Sequence, residues 1–517
     1  MGWSLAASHF QTGGYLRNNY SNRNNFSVDF FFDLPFAIQT GAGIDYSDTE
    51  TGFAVYNRPD SPYYKSGEPA ADEKASGGPG ISSRLLEGQM TWGDDTKTED
   101  ENLALSAFAE KKFSSGRFRT DFRLWNQDRR EVYYAADDRD KKIYERTTVG
   151  EDNNWLWQAE GTLQFGKHHL AAGGQMKHYG WGEQNVDYID QSYFNSSINS
   201  PFFAFVKEGF KGQPDLLSYY ALYLQDEWHF HPKLCLEAGV RSEWFHADSV
   251  DPDAFGYEWE TAVREMDENH LDPRVALVAH PIKNSRVTAG IGMVHRYPTS
   301  PEYFWWYLNN STDFFNTDLH AEEALQYELG IEQNLANRLT LRLRGYYYDI
   351  KDYIEGTSVP RIGQVKYNIG EVDIKGIEVS LSADLPHGVQ PWANTTWQEG
   401  EKDDDPWDTD NHLTGILPDL PDVMVNAGVN YKYHDKAILR LWLNHVGERQ
   451  HLRGDAVETL NAYTLFNFSA TCRVWQTPRT HWELLLSGEN IFDESYQQEE
   501  GYPMTGALFM AGLRLIL

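Results

Sequence analysis

The stretch that most constrains the fold is the last one, HWELLLSGENIFDESYQQEEGYPMTGALFMAGLRLIL. It holds two runs that alternate with period two. Trp482, Leu484 and Leu486 share one face of the first, and Ala507, Phe509, Ala511, Leu513, Leu515 and Leu517 share one face of the second. Such alternation predicts two strands with unlike faces. The second run places no polar residue on its apolar face, and the sequence stops with it. An antiparallel strand with a wholly apolar outer face is what closes a membrane β-barrel. A last strand docked in a soluble sandwich or propeller is the alternative.

No segment reaches the ~18 consecutive apolar residues that a membrane helix needs, which excludes a helical membrane protein. Aromatic residues make up 14% of the chain, as 30 Tyr, 27 Phe and 17 Trp. The mean hydropathy of -0.61 looks soluble, but strands that alternate lipid-facing and water-facing side chains also average out as polar. Seventy-seven acidic against 45 basic residues give a net charge of -32. That balance opposes nucleic-acid binding, which needs a basic footprint, and suits a polar surface that attracts cations. Residues 1–517 read as a single β domain rather than the three or so soluble domains that length alone suggests. Met1 to Gly14 has neither the basic region nor the apolar core of an export signal. Cys235 alternates against Leu234 and Leu236 and points inward, whereas Cys472 is in phase with Phe466, Phe468 and Val474 and points outward. Cysteines on opposite sides of a wall do not pair, and no disulfide or metal-binding Cys pair is expected.

The joins between strand-like runs differ in kind. Short ones such as 33–35, 165–167, 231–233, 281–284, 386–388 and 434–435 carry turn residues. Long, polar, aromatic ones occupy 180–216, 248–269, 297–320, 352–370, 401–420, 448–461 and 493–504. From about residue 154 onward the two kinds alternate strictly, the signature of short turns on one side of a membrane and long loops on the other. A propeller would show a fixed repeat, and none is present. In NRLTLRLRGYYYDI, Leu339, Leu341 and Leu343 oppose Arg338, Thr340, Arg342 and Arg344. Inward arginines need water, so the interior is wet. Trp228, Trp244, Trp475 and Trp482 suit interfacial aromatic girdles, packing being the plainer reading of each alone. The expected fold is an all-β transmembrane antiparallel β-barrel of about 21–22 strands. Twenty-one are counted, including one at 82–92, in a region (82–126) where the side alternation breaks. An odd count conflicts with the even number of bacterial barrels.

Several stretches, in order, resemble the TonB-dependent outer-membrane receptors. GIGMVHRYPTSPEYF is similar to that family's Arg, Pro and Glu box, here Arg296, Pro298 and Glu302; NTDLHAEEALQYELGIEQ, with Glu323 and Glu328, resembles the stretch that follows. VDIKGIEVSLSADL resembles the strand with Gly376 and Glu378, and ENIFDESY the last box, with Asn490, Phe492, Asp493 and Tyr496. The chain departs from the family in ending on Leu517 rather than an aromatic residue and in Thr505 where an Arg is common. The resemblance implies a barrel in the outer membrane of a Gram-negative bacterium, embedded in lipid, with short periplasmic turns and long extracellular loops. The family's plug domain and TonB-engaging segment are not matched, since strand pattern begins at Trp3. TonB would therefore act only through a plug outside this sequence. A first strand or two is also expected to be missing, so that the strand from 505 to 517 would pair with Trp3 to Leu16 or face an open seam.

Two functions follow from that likeness. The first is a receptor for TonB-dependent uptake of a scarce nutrient, a ferric siderophore or related metal chelate, with haem and cobalamin as further candidates; the second is a passive porin-like channel, open for lack of a plug. The loop run Tyr303, Phe304, Trp305, Trp306 and Tyr307, with Trp407 and Arg453 in other loops, could stack on or pair with a small-molecule or metal-chelate ligand. Loop-core packing is the competing reading of those aromatics. Asp403, Asp404, Asp405, Asp408 and Asp410 could hold Ca²⁺ or form a solvated acidic loop. His178 and His451, placed in loops, could reach a haem iron. No hydrolase, zinc-protease or nucleotide-binding motif is present, so no enzyme activity and no cofactor are expected.

Overall fold

A computed structural model describes residues 1–55, 64–67, 69, 92–136, 140–149, 154–199, 204–209, 211–248, 265–299, 302, 319–336, 338–359, 363–403, 415–453, 456–477 and 480–516. Alternating side chains commit nearly every described segment to strand. In chain order these are β1 (Gly2–Thr12), β2 (Ser21–Leu34), β3 (Ile38–Gly52), β4 (Lys97–Phe113), β5 (Gly116–Tyr134), β6 (Lys142–Val149), β7 (Asn154–Phe165), β8 (His168–Trp181) and β9 (Glu183–Ile189). There follow β10 (Gln213–His231), β11 (Leu234–Ala247), β12 (Met266–Ala279), β13 (Ser285–Arg296), β14 (Glu322–Leu335), β15 (Leu339–Val359), β16 (Gly363–Ala383) and β17 (Val389–Asp403). The last are β18 (Val423–Tyr433), β19 (Ala437–Val446), β20 (Arg449–Arg453), β21 (Ala456–Leu460), β22 (Tyr463–Gln476), β23 (His481–Glu489), β24 (Gln497–Glu499), β25 (Tyr502–Pro503) and β26 (Leu508–Ile516).

Twenty-two strands form one antiparallel sheet. Within it β6 and β9 branch from the upper half of β5, and the other strands pair each with the next from β1 to β26. β20 with β21 and β24 with β25 are separate two-stranded hairpins in loops. The expected strand at 82–92 has no place between its neighbours in this wall, because β3 pairs directly with β4 along their whole lengths, from Ile38↔Lys111 to Gly52↔Lys97. Residues 82–91 lie outside the described residues. With that strand removed, every other predicted strand coincides with one in the wall, and short turns alternate with long joins from the first strand to the last. The odd count came from placing a strand between β3 and β4, which pair directly.

Register fixes two unlike faces. Leu341 stands opposite Gln333 and Leu381, and Leu343 opposite Ile331 and Val379. Leu484 stands opposite Leu513, and Leu486 opposite Ala511. Ile331, Leu341, Leu343, Leu381, Leu486 and Leu513 join Leu222, Leu224, Leu271, Leu277, Leu329, Ile377, Leu441 and Phe509 in an exposed apolar belt around the wall. So extensive an apolar surface has no place in water. Trp228 and Trp475 flank the belt near the short-turn rim and Trp244 near the long-loop rim, all exposed, as aromatic girdles do. The opposite phase is polar. Glu483 and Arg514 form an ion pair directly behind the apolar pair Leu484 and Leu513. Cys235 and Cys472 are free thiols. Cys235 pairs in register with Val278 and shares the inner phase, while Cys472 stands opposite outward-facing Leu484.

The first and last hairpins meet at the long-loop rim, where the Tyr15 hydroxyl lies 3.5 Å from Met504 Sδ. Below that contact no ladder joins β1 to β26 among the described residues. Above the wall the long loops carry their own core. Val55, Trp92, Tyr133, Ile143, Tyr144, Phe194, Ile198 and Val206 pack together, with Tyr133 and Tyr144 fully buried. Arg146 and Glu131 pair beside this core, both nearly inaccessible to solvent.

Candidate functional site

The inner wall and its mouth are built from the polar phase of the strands. A concavity of about 700 Å³ opens on this wall, lined by Arg117 and Arg119 of β5, Glu160 of β7, Tyr223 of β10, Arg241 of β11 and Arg274 of β12, among others. Arg119 is bonded to Asp121 at 2.6 Å and Arg117 to Glu160 at 3.1 Å. Tyr223 donates to Glu160 at 2.9 Å, and Arg241 donates to Gln175 at 3.2 Å. Four guanidiniums stand among three carboxylates there, Asp121, Glu160 and Asp272. Arg241 also pairs with Glu243, and Glu110 lies 3.8 Å from Arg119 and 4.0 Å from Arg117, so the patch concentrates arginine with its charge locally balanced.

At the mouth β13 leaves its ladder with β12 after Gly292, while β12 continues along β11 as far as Met266. The freed end of β13 leans over the inner face of β12. His295 Nδ1 lies 2.5 Å from Asp272 Oδ1, and the His295 ring stacks on His270 with centroids 4.0 Å apart. Tyr297 stacks on Phe245 at 5.0 Å, and the Tyr219 hydroxyl donates to the Pro298 carbonyl at 2.7 Å. Arg296 is gripped by Glu322 through two hydrogen bonds, one of 2.7 Å, and by Glu302 at 2.9 Å. Glu302 also accepts from the Thr299 amide and hydroxyl at 2.9 and 3.0 Å. Burial works against ionisation of Glu302, but Arg296 and Thr299 outweigh it and hold its carboxyl below the usual range. Arg296, Pro298 and Glu302 thus form a bracket that fixes where the next loop starts.

The other motif residues are likewise brought together. Arg344 bridges Glu328 and, at 3.2 Å, Glu378, so that three separate stretches meet on one patch of inner wall. Glu323 lies 3.3 Å from His295 Nε2. Gly376 leaves room for Tyr346, whose hydroxyl a Cβ at 376 would meet at 2.4 Å. Asn490 and Asp493 both take positive φ, 47° and 59°. Asn490 accepts from the Glu494 amide at 2.8 Å and donates to the carbonyls of Glu494 and Thr505 at 2.8 and 3.2 Å. Asp493 accepts from the Ala507 amide at 2.8 Å, which aims the chain into β26. Phe492 packs on Phe466 and Tyr496 on Tyr463, with centroids 5.1 and 4.5 Å apart.

Most of the proposed ligand-capture residues, namely Tyr303, Phe304, Trp305, Trp306, Tyr307, Trp407, Asp404, Asp405, Asp408 and Asp410, lie outside the described residues. Asp403 is the exposed last residue of β17, opposite Glu371. Arg453 ends β20, its backbone opposite Ala456. His178 is in a wall strand, not in a loop as expected, whereas His451 lies in the loop hairpin of β20 and β21. His178 of β8 is bonded on both nitrogens, to Ser218 at 3.0 Å and Asp215 at 2.9 Å, and His451 of β20 contacts Asp419 at 3.0 Å. The arginine-lined concavity escaped the sequence reading. The alternation of RFRTDFRLW assigns Arg117 and Arg119 to the inner phase, but only the order of strands around the wall sets them beside Arg241 and Arg274.

An antiparallel wall with an apolar belt, a polar inner face and long loops folded over one rim defines an outer-membrane type of β-barrel. The profile of the family described as TonB dependent receptor-like, beta-barrel matches residues 2–491, and the chain belongs to that family, whose barrels sit in the outer membrane of Gram-negative bacteria. No curated protein matches the chain by sequence. Solved structures with the same fold include the copper transporter OprC, at TM-score 0.72 and 12% identity, covering 99% of this chain and 76% of that one. The ferric-catecholate import receptor Fiu of E. coli K12 gives 0.66 and 12%, with 99% and 77% covered. The ferripyoverdine receptor of Pseudomonas aeruginosa gives 0.68 and 16%, with 99% and 67% covered.

Proposed function

We propose that the chain forms the conducting barrel for TonB-dependent uptake of an anionic metal chelate, a ferric siderophore in the first instance. The observation that carries this reading is the concavity with Arg117, Arg119, Arg241 and Arg274 on the inner wall. Guanidiniums pair bidentately with carboxylates and with other planar oxyanions, the groups that such chelates present. The Arg296 bracket supports it further, since it anchors at the mouth the start of the segment that carries the aromatic run 303–307. That run supplies flat faces for a planar ligand. Energised transport also requires coupling to TonB, which this reading assigns to a plug within or alongside the barrel.

The test is quenching of tryptophan fluorescence by ferric catecholates, ferric hydroxamates, ferric citrate, haem and cobalamin, with the folded chain in detergent. An anionic ferric chelate is expected to bind, and Arg119→Gln with Arg274→Gln to weaken it by about tenfold or more. Large ungated conductance in planar bilayers, with no binding across the panel, overturns the receptor reading in favour of a passive channel.

A further inference from the structure

At the short-turn rim of the inner wall, far from the mouth, His169 of β8 and Glu227 and His229 of β10 converge. Their metal-competent atoms all lie within 4.8 Å of one another. His169 stands opposite Glu227 in the ladder, with Nδ1 3.8 Å from Glu227 Oε2, and its ring meets that of His229 with centroids 5.2 Å apart. All three share the phase of Tyr223 and Gln225, which line the inner concavity, while Leu222, Leu224 and Trp228 of the same strand are exposed on the belt. The neighbouring His231 is committed elsewhere, accepting from the Lys233 amide in the turn.

We propose that this group is a binding site for a borderline divalent transition-metal ion of the Zn²⁺, Ni²⁺ or Cu²⁺ class, facing the periplasmic end of the barrel interior. Two imidazoles and one carboxylate are a donor set that such ions prefer over Ca²⁺ or Mg²⁺, which take oxygen ligands. Tetrahedral coordination at bonds of about 2.0–2.1 Å sets ligand atoms about 3.3 Å apart. The present spread of up to 4.8 Å exceeds that spacing by about 1.5 Å, and three protein ligands leave a fourth position open to water from the interior. Charge favours the same conclusion. Glu227 stands directly opposite Glu237 of β11, an unfavourable like-charge pair. Arg286, 3.6 Å from Glu237, offsets that member, whereas the polar contact of Glu227 is the imidazole of His169. A bound cation offsets the other. The site is separate from the chelate reading, since none of its residues lines the concavity or the mouth.

The test uses the untagged full chain, folded in detergent and titrated with Zn²⁺ against a chromophoric chelator, then loaded with Cu²⁺ for electron paramagnetic resonance. One tight equivalent is expected, with nitrogen hyperfine structure from two imidazoles. His169→Ala with His229→Ala abolishes it, Glu227→Gln weakens it by about tenfold or more, and His246→Ala at the opposite rim leaves it unchanged. Heat-modifiable migration in gels verifies that each variant is folded. The proposal is overturned by a wild-type chain that binds no tight equivalent, or by an equivalent that survives in the folded double variant.

Discussion

Leu441 offers the sharpest test of which face meets lipid. It sits on β19 opposite Val429 and Phe468, 51% exposed, while Arg440 one residue earlier stands opposite Asn430 and Ser469 on the inner phase. Five residues separate Leu441 from Lys436 in the short turn, about 17 Å along a strand at 3.4 Å per residue. A strand tilt of about 40° projects that to about 13 Å, half of an apolar band about 25 Å tall. Leu441→Arg therefore sets a guanidinium near the midplane, at a cost of about 2–4 kcal/mol. That is roughly a 30- to 700-fold rise in the unfolding constant, at about 1.4 kcal/mol per tenfold. Arg440→Leu replaces a side chain in water and shifts stability by about 0.5 kcal/mol or less. Urea unfolding from lipid vesicles, followed by tryptophan fluorescence, measures both. A neutral Leu441→Arg with a costly Arg440→Leu would refute the assignment of faces and the register on which it rests.

The bracket at the mouth predicts a pH effect. The carboxyl of Glu302 is depressed in the folded chain, so its stabilisation is complete above the ordinary glutamate value of about 4.3 and is lost as pH falls through the lower folded value. Hydrogen exchange at Thr299 should therefore accelerate on acidification below about pH 4, and Glu302→Gln should remove that step while raising the exchange rate at neutral pH. Gly376→Val should cost about 1–3 kcal/mol by overpacking against Tyr346 and the Trp397 carbonyl, whose oxygen lies 2.9 Å from where a Cβ at 376 would stand, read as a lowered urea midpoint. Tyr346→Ala in the same chain should recover part of it. Asn490→Ala should cost about 1–3 kcal/mol through the orphaned groups at Glu494 and Thr505 and the positive φ; Asn490→Gly should be milder, because it keeps the φ. Equal losses for the two would exclude the backbone contribution.

Much of the fold was legible because a strand's side-chain period is local. The outward phase of Leu339, Leu341 and Leu343 and of the run from Phe509 to Leu515 follows from alternation alone, and the joins announced their lengths through Pro, Gly, Asn and Asp. The same locality explains the strand counted at 82–92: a short alternating run carries no record of which strands flank it, and β3 pairs directly with β4. His178 was misplaced for the opposite reason, since β8 extends past the belt into a segment polar enough to read as loop.

The sequence by itself determined the class of fold, the two faces of the wall, the separation of Cys235 from Cys472 and the family motifs. Tertiary structure alone decided which residues share a site. Arg344 meets Glu328 and Glu378, Arg296 meets Glu322 and Glu302, and His169 meets Glu227 and His229 because antiparallel register carries distant stretches to one height on the wall. Register and strand order depend on every turn and loop between those stretches, and pairing between strands leaves no trace in the period of either one.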